Sequence, residues 1–385
     1  MIHKSTKPET NQNDIARVSA GTERVLGLSN IRMEDPPTCA YFMIGENCKG
    51  TCFFCARRSE RENENIETSP NNSTSKKRGF LSRVTWKPYN IHTVLEKNAE
   101  QFENGSIRRT CFQVVRDTEA YRQTLEAVKM LKKKCDIPVC VSINGISPEQ
   151  YGELYEAGVE RIAFSFDAAT PELYEKIKGK SWDEEWEIYL EINRRFPGRT
   201  VIHLIVGLGE TEKQMVGAIE TFYRHNSEVS LFAFTPIPGT PLSGRKQPSL
   251  STYRKIQTAL YMIRTGMWQC RRDVPVPING EWKTDAGCQS SLPVSHFPFP
   301  ASSMWDVPVP MKCKNELYKF ENDKIIFNRD KRDFFIQNIP QTAFRTYGCP
   351  DCNRPLYNER PGQVPYNFPR ELTEEERISA IELIF

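Results

Sequence analysis

The chain has 385 residues, 26% charged and 38% apolar, which is enough for one large domain or two ordinary ones and unlike fibrous or wholly disordered sequences. Its net charge of +3 gives no field that would gather nucleic acid or an anionic membrane. No run of 18 apolar residues occurs, so no transmembrane helix is expected.

The opening "MIHKSTKPETNQND" lacks the apolar core of a signal peptide, so a cytoplasmic location is expected. Twelve cysteines in a reducing compartment point to metal binding or reactive chemistry where they cluster, and to small buried hydrophobes where they scatter. Residues 1–22 read as a polar, flexible tail. The main domain is expected over 23–270, with an exposed polar insert at about 58–80, and an irregular extension over 271–385.

Within the main domain, strand and helix signals alternate. "CAYFMIG" is a buried strand that ends at a cysteine loop. "IHTVLEKNAEQF" reads as a helix, "RRTCFQVV" as a second strand and "AYRQTLEAVKMLKKK" as an amphipathic helix. "IPVCVSI" is the third strand, and "SPEQYGELYEAG" is a helix framed by Ser-Pro and Gly158. "RIAFSFDAA" is the fourth strand, followed by helices "TPELYEKIKG" and "DEEWEIYLEINRRF". "TVIHLIVGLGET" is the fifth strand and a Gly-rich turn, and "EKQMVGAIETFYRH" its helix. "EVSLFAFTPIPGTPL" is the sixth strand with its loop, and "SLSTYRKIQTALYMIRTG" the last helix of the series. Six such units predict a parallel α/β sheet, a partial (βα)6 TIM-like barrel with N- and C-terminal extensions. Ligand sites in such sheets lie at the carboxyl ends of the strands, where the cysteine loop falls. Beyond it, 275–315 is Pro-rich, "DKIIFNRDKRDFFI" offers a strand or short helix, and the sequence closes on a short helix.

The loop "GENCKGTCFFCARR" places Cys48, Cys52 and Cys55 at C-x3-C-x2-C spacing. Three thiolates on one loop can hold an iron–sulfur cluster, whereas a structural zinc usually takes four ligands, and no histidine is near in sequence. A rearranged zinc loop and redox thiols are the alternatives. The trio, with Phe54 before its last cysteine and a strand in front, resembles the radical S-adenosylmethionine superfamily. That resemblance implies a [4Fe–4S] cluster with one iron open to S-adenosylmethionine. It also implies a 5′-deoxyadenosyl radical that takes hydrogen from an unactivated C–H bond.

Further stretches are similar to other superfamily elements. "LIVGLGETE" resembles the turn that supports the cofactor's adenine, which brings in Gly207, Gly209 and Glu210; the alternative is a tight strand-to-helix turn. "FSFDAATPELY" puts Asp167, with Ser165, where biotin synthase-like enzymes hold an acidic residue near the ribose. The alternative is a helix cap, for which Thr170 is the better candidate. "FTPIPGTPL", with Pro238 and Gly239, resembles the loop that lies against adenine. The second strand lacks the glycine-glycine-glutamate common in the superfamily.

"YGCPDCNRP" supplies a second pair, Cys349 and Cys352, at a spacing that suits one metal ion or one cluster edge. Cys111 and Cys140 resemble two cysteines that hold the sulfur-donating cluster of biotin synthase, although the third position is Val201 here. Cys39 is a further candidate for such an auxiliary cluster, with packed core thiols as the alternative; Cys135, Cys270, Cys288 and Cys313 have weaker cases. His203 reads as a core or rim histidine, with substrate contact as the alternative, and Arg345, Arg354 and Arg360 as solvated surface, with binding of a carboxylate or steering of an acidic domain as the alternative.

Several longer stretches, among them "TCAYFMIGENCKGTCFFCARR", "AGVERIAFSFDAATPELYEKIKGK" and "GCPDCNRPLYNERPG", are together similar to one subunit of the archaeal-type two-component lipoyl synthases. The resemblance implies sulfur insertion at C6 and C8 of an octanoyl chain carried on a lipoyl domain. It further implies a second radical subunit and an electron donor such as ferredoxin or flavodoxin. The insert near 60–80 and the segment around 275–315 have no counterpart in it. The rival readings are a biotin synthase-like or other radical enzyme acting on a small molecule, and a non-catalytic metal-binding scaffold.

Overall fold

A computed structural model of the chain describes residues 14–59, 80–81, 84–267, 275–278, 281–284 and 317–385. Six parallel strands form its centre: β2 (Cys39–Ile44), β5 (Arg109–Val114), β6 (Val139–Ser142), β7 (Arg161–Asp167), β8 (Thr200–Val206) and β9 (Glu228–Ala233). They are the six strands expected from the apolar runs. All six residues of β2 are buried, as a parallel strand covered on both faces requires.

Between them run α2 (Ile91–Glu103), α3 (Thr118–Lys134), α4 (Pro148–Glu156), α5 (Pro171–Lys178), α6 (Trp182–Arg195), α7 (Glu212–Arg224) and, after β9, α8 (Leu250–Arg264). The chain fixes their starts with side-chain caps, Asn90 and Asp117 for the first two and serine or threonine hydroxyls for the rest. Ser147 and Thr211 form reciprocal capping boxes with Gln150 and Gln214. Thr170 caps α5 by accepting from Leu173 N–H at 3.3 Å, and left-handed Gly179 ends that helix. Among the described residues no helix is long and apolar enough to cross a membrane.

The sheet is wider than six strands. β1 (Ile15–Ser19) pairs antiparallel with β2 and with β4 (Val84–Asn90), and the short β3 (Phe80–Leu81) adds to β4. The expected tail over 1–22 is therefore corrected for its second half, since residues 15–25 form β1 and helix α1 (Ala20–Val25). The polar look of "IARVS" misled because Arg17 is neutralised in place. Its guanidinium meets both carboxylate oxygens of Glu46 at 2.8 Å. Residues 1–13, most of the expected insert (60–79) and most of 275–315 lie outside the described residues. From the last of these stretches the backbone of strands β10 (Pro275–Ile278) and β11 (Glu281–Thr284) is described.

The later extension packs on the barrel. Strands β12 (Tyr318–Glu321) and β13 (Lys324–Phe327), which realise the strand in "DKIIFNRDKRDFFI", dock on α7. There Ile325 N–H donates to Glu212 at 2.7 Å. Helices α9 (Arg332–Asn338) and α10 (Glu374–Glu382) follow. A strap over 345–367 then spans the two ends of the parallel array. At β9, Asn358 donates to Ala233 O at 2.7 Å and Asn367 to Leu231 O at 3.2 Å, satisfying edge carbonyls. At the start of β2, Asn353 donates to Pro36 O and accepts from Thr38 N–H, both at 3.1 Å. Fully buried Arg254 on α8 anchors the far end, donating to Tyr366 O and Pro365 O at 2.5 Å.

Candidate active site

The cysteine loop leaves β2 through Gly45, at φ +92°. A Cβ there would stand 2.3 Å from Val115 Cγ2 and 2.7 Å from Ala120 Cβ, so only glycine lets the loop turn this close to α3. Backbone and side-chain bonds then pin it from both sides. Lys49 N–H donates to Arg116 O at 2.9 Å, Phe53 N–H to Ile177 O at 3.0 Å and Thr51 Oγ1 to Lys178 O at 3.2 Å.

Cys48, Cys52 and Cys55 all line one cavity of about 230 Å³ at the carboxyl ends of the strands. Gly50 N–H points at Cys48 Sγ at 3.3 Å, and Arg57 N–H at Cys55 Sγ at 3.4 Å. Burial pushes the Cys52 thiol up; burial, reinforced by Cys52 and Cys48, pushes Cys55 up to about 12. Burial thus favours the neutral form of Cys52 and Cys55 until a cation inverts the balance. Among the described residues no three His, Cys, Asp or Glu side chains converge on a point that one metal ion could fill. Three thiols on one loop are one ligand short of a tetrahedral zinc and suit a polynuclear group held by three thiolates.

Phe54, Ser165 and Asp167 line the same cavity. The register slips between Ser165 and Asp167, and Asp167 adopts φ +65°. Its carboxylate accepts from Lys178 Nζ at 2.5 Å, and the same ammonium donates to Ser165 O. Burial opposes the charge of Lys178, but Asp167 holds it above the usual lysine range. One Asp167 oxygen is therefore engaged by a lysine that the sequence reading overlooked. Lys180 also lines the cavity, and burial pushes it down to about 8. The short basic run "KIKGK" was the available signal for both.

Gly207, Gly209 and Glu210 stand behind the cavity wall. Glu210 accepts from Gly207 N–H at 2.6 Å and Gly209 N–H at 3.0 Å, so the turn is braced internally. Burial raises the Glu210 carboxyl, against those amides. A Cβ on Gly207 would meet Pro248 Cδ at 3.0 Å and Phe234 Cβ at 3.3 Å; Phe234 and Ile205 present the actual surface. Pro238 and Gly239 likewise lie beside Ile237, which does line it.

A second cavity, of about 60 Å³, lies against the first; Gln113, His203, Phe232 and Tyr357 line both. It gathers Cys39, Cys111, Cys140, Cys349 and Cys352. Strand register sets Cys111 beside Cys140. The strap adds the other two: Cys140 Sγ and Cys349 Sγ are 3.0 Å apart, and Tyr41 Oη lies 3.3 Å from Cys352 Sγ. A Cβ on Gly348 would stand 3.3 Å from Val201 Cγ1, so the strap enters over the strand position that lacks a cysteine. Cys135 sits at the end of α3, its thiol toward Leu131 O at 3.9 Å, and does not line this cavity. Cys270, Cys288 and Cys313 lie outside the described residues.

One further reading changes. Arg354 is buried, not surface: it stacks 3.8 Å over the Phe232 ring and donates to Ser230 Oγ at 2.9 Å. His203 lies in the shared wall, edge-on to Phe232 at 4.9 Å, where burial and then Arg354 push it down to about 3. Arg345 pairs with Glu371 at 3.7 Å and Arg360 is exposed, as a solvated surface requires.

Comparison with known proteins bears on this geometry. Biotin synthase of Salinispora arenicola is 28% identical over 201 residues, 51% of this chain and 55% of that protein. Mitochondrial biotin synthase of Emericella nidulans is 27% identical over 267 residues, 66% of this chain and 61% of that one. The chain spans little more than half the length of these curated relatives. Among solved structures, methylornithine synthase superposes with a TM-score of 0.45 at 15% identity, over 62% of this chain and 68% of the other. The family model of the radical SAM superfamily matches residues 42–222, the stretch that builds the cysteine loop and strands β2 to β8. Over those residues, this chain carries a radical SAM superfamily domain.

Proposed function

We propose that this protein is a radical S-adenosylmethionine enzyme that inserts sulfur at unactivated carbon, on the pattern of the lipoyl synthases, with an octanoyl chain on a lipoyl domain as substrate. The observation that carries the reading is the pair of thiol-lined cavities sharing a wall of Gln113, His203, Phe232 and Tyr357. Carbons within an alkyl chain are neither acidic nor electrophilic, so proton transfer and nucleophilic attack cannot reach them. When bound, a cluster with S-adenosylmethionine and a reduced one-electron donor would supply a radical able to take the hydrogen atom, and an auxiliary cluster would supply the sulfide and an acceptor for the remaining electron.

The chain's own residues do the rest. Cys48, Cys52 and Cys55 would hold the first group, Phe54, Ser165 and the Asp167–Lys178 pair would face the nucleoside, and Lys180 would offer charge to the methionine carboxylate. The shared wall presents the substrate to both sides, and neutral His203 adds no competing charge there. A second radical subunit and a ferredoxin- or flavodoxin-type donor complete the system.

Anaerobic incubation of the reconstituted protein with an octanoylated lipoyl-domain peptide, with and without the partner subunit, tests this. Mass spectrometry should find one or two added sulfurs. Unmodified peptide under conditions that do release 5′-deoxyadenosine would leave the second reading, a biotin synthase-like enzyme on a small molecule, which the biotin synthase relatives favour.

Lys180 gives this reading a pH signature. Its ammonium is charged below about pH 8 and neutral above it, so attraction for a carboxylate is present on the acid side and lost as pH rises. Calorimetry on the reconstituted protein should show S-adenosylmethionine binding weaken roughly three- to tenfold from about pH 7 to 9. Lys180→Met should bind weakly at both and remove most of the slope.

A further inference from the structure

The three sulfurs of the cysteine loop are not equivalent. Gly50 N–H points at Cys48 Sγ at 3.3 Å and Arg57 N–H at Cys55 Sγ at 3.4 Å. Among the described residues no N–H or O–H donor is directed at Cys52 Sγ. Donors to the sulfurs and nearby charge set the reduction potential of a thiolate-held cluster, so the bare sulfur needs another source of positive potential.

That source lies at the end of α5. The residues on either side of Cys52 are fastened to it: Thr51 Oγ1 donates to Lys178 O at 3.2 Å and Phe53 N–H to Ile177 O at 3.0 Å. These bonds occupy carbonyls whose dipole would otherwise repel an anion. The Lys178 side chain is 5% exposed and lines the same cavity as Cys52. Its ammonium donates to Asp167 Oδ2 at 2.5 Å and to Ser165 O, which fixes the charge in place. Burial pushes the Cys52 thiol up, and Lys178 opposes that more strongly than Asp167 adds to it. The two charges of the pair therefore do not cancel at Cys52.

We propose that Lys178 is the electrostatic counterweight of the cysteine-loop cluster: its buried ammonium, held by Asp167, raises the cluster's reduction potential and so eases its charging by a one-electron donor. Reduction adds a negative charge to a group that is already anionic, inside a cavity where a fixed cation is poorly screened. The inference rests on the radical S-adenosylmethionine reading of the loop and not on the identity of the sulfur acceptor.

The full chain and its variants, reconstituted anaerobically with ferrous iron and sulfide, are titrated by electron paramagnetic resonance without S-adenosylmethionine or peptide. Subtracting the signal of the Cys52→Ala chain isolates the loop cluster. Lys178→Met should lower its midpoint by about 59 mV or more, a tenfold loss in the one-electron equilibrium constant. Asp167→Asn should raise it, because the opposing charge goes and the cation stays. Lys178→Arg should hold that constant to within about twofold of native. Lys180→Met should shift it less than Lys178→Met does, because Lys180 acts on Cys52 more weakly than Lys178.

Water entering a loosened site would stabilise the added electron and raise the potential, so a fall in Lys178→Met cannot come from misfolding. If Lys178→Met takes up no iron at the loop, the other two variants decide. A rise in Asp167→Asn with Lys178→Arg unchanged supports the proposal, and no rise overturns it. Native midpoints in Lys178→Met, or shifts of one sign in Lys178→Met and Asp167→Asn, also overturn it. A native chain whose loop takes up no iron would remove the radical reading, and this inference with it.

Discussion

Asp167→Ala should cost the metal-free chain roughly 3–5 kcal/mol, seen as a drop in its urea midpoint at unchanged slope. The change strands the Lys178 ammonium, whose side chain is 5% exposed, beside a carboxylate that is 10% exposed in the native chain. It also places a β-carbon without a local hydrogen bond at φ +65°, a conformation that asparagine tolerates better. Asp167→Asn should therefore lose less than Asp167→Ala. The pair is the larger part of the effect, so Asp167→Ala combined with Lys178→Met should recover more than half the loss. If the two single losses simply add in the double variant, the ion pair is not what holds this corner together.

Cys52→Ala should abolish S-adenosylmethionine cleavage, with 5′-deoxyadenosine falling at least a thousandfold under reducing conditions, while the chain keeps about half its iron. The split arises because the trio and the strap cysteines line separate cavities. Turnover that survives the substitution would end the radical reading. Protein that binds zinc in place of iron, and is colourless before and after mutation, would favour a scaffold with two structural metal sites.

The barrel was legible because its signals are local. Each parallel strand is an apolar run, and most helices open on a local side-chain cap that needs nothing distant, as Thr170 and Ser147 show. The cysteine trio was legible for the same reason, being one loop. Strand β1 escaped because Arg17 finds its counter-charge on Glu46, 29 positions later. The five thiols of the second cavity were named from resemblance, but what gathers them is tertiary. Cys111 and Cys140 are neighbours through strand register, but Cys349 reaches them only because the strap is tied to β9 and to Pro36 by asparagine side chains. The same tertiary path moves Arg354 from surface to interior. A tight turn and a nucleotide cradle call for the same residue at positions 207 and 209; what the structure adds is the turn's internal brace on Glu210.

The strap also imposes an order of assembly. Cys48 to Cys55 are complete on a nascent chain soon after β2 emerges, whereas Cys140 must wait for a residue 209 positions later. Contacts this distant form late, after most of the chain has left the ribosome. A stalled or clipped polypeptide would thus carry the cysteine loop without the distant thiols that complete the neighbouring cavity.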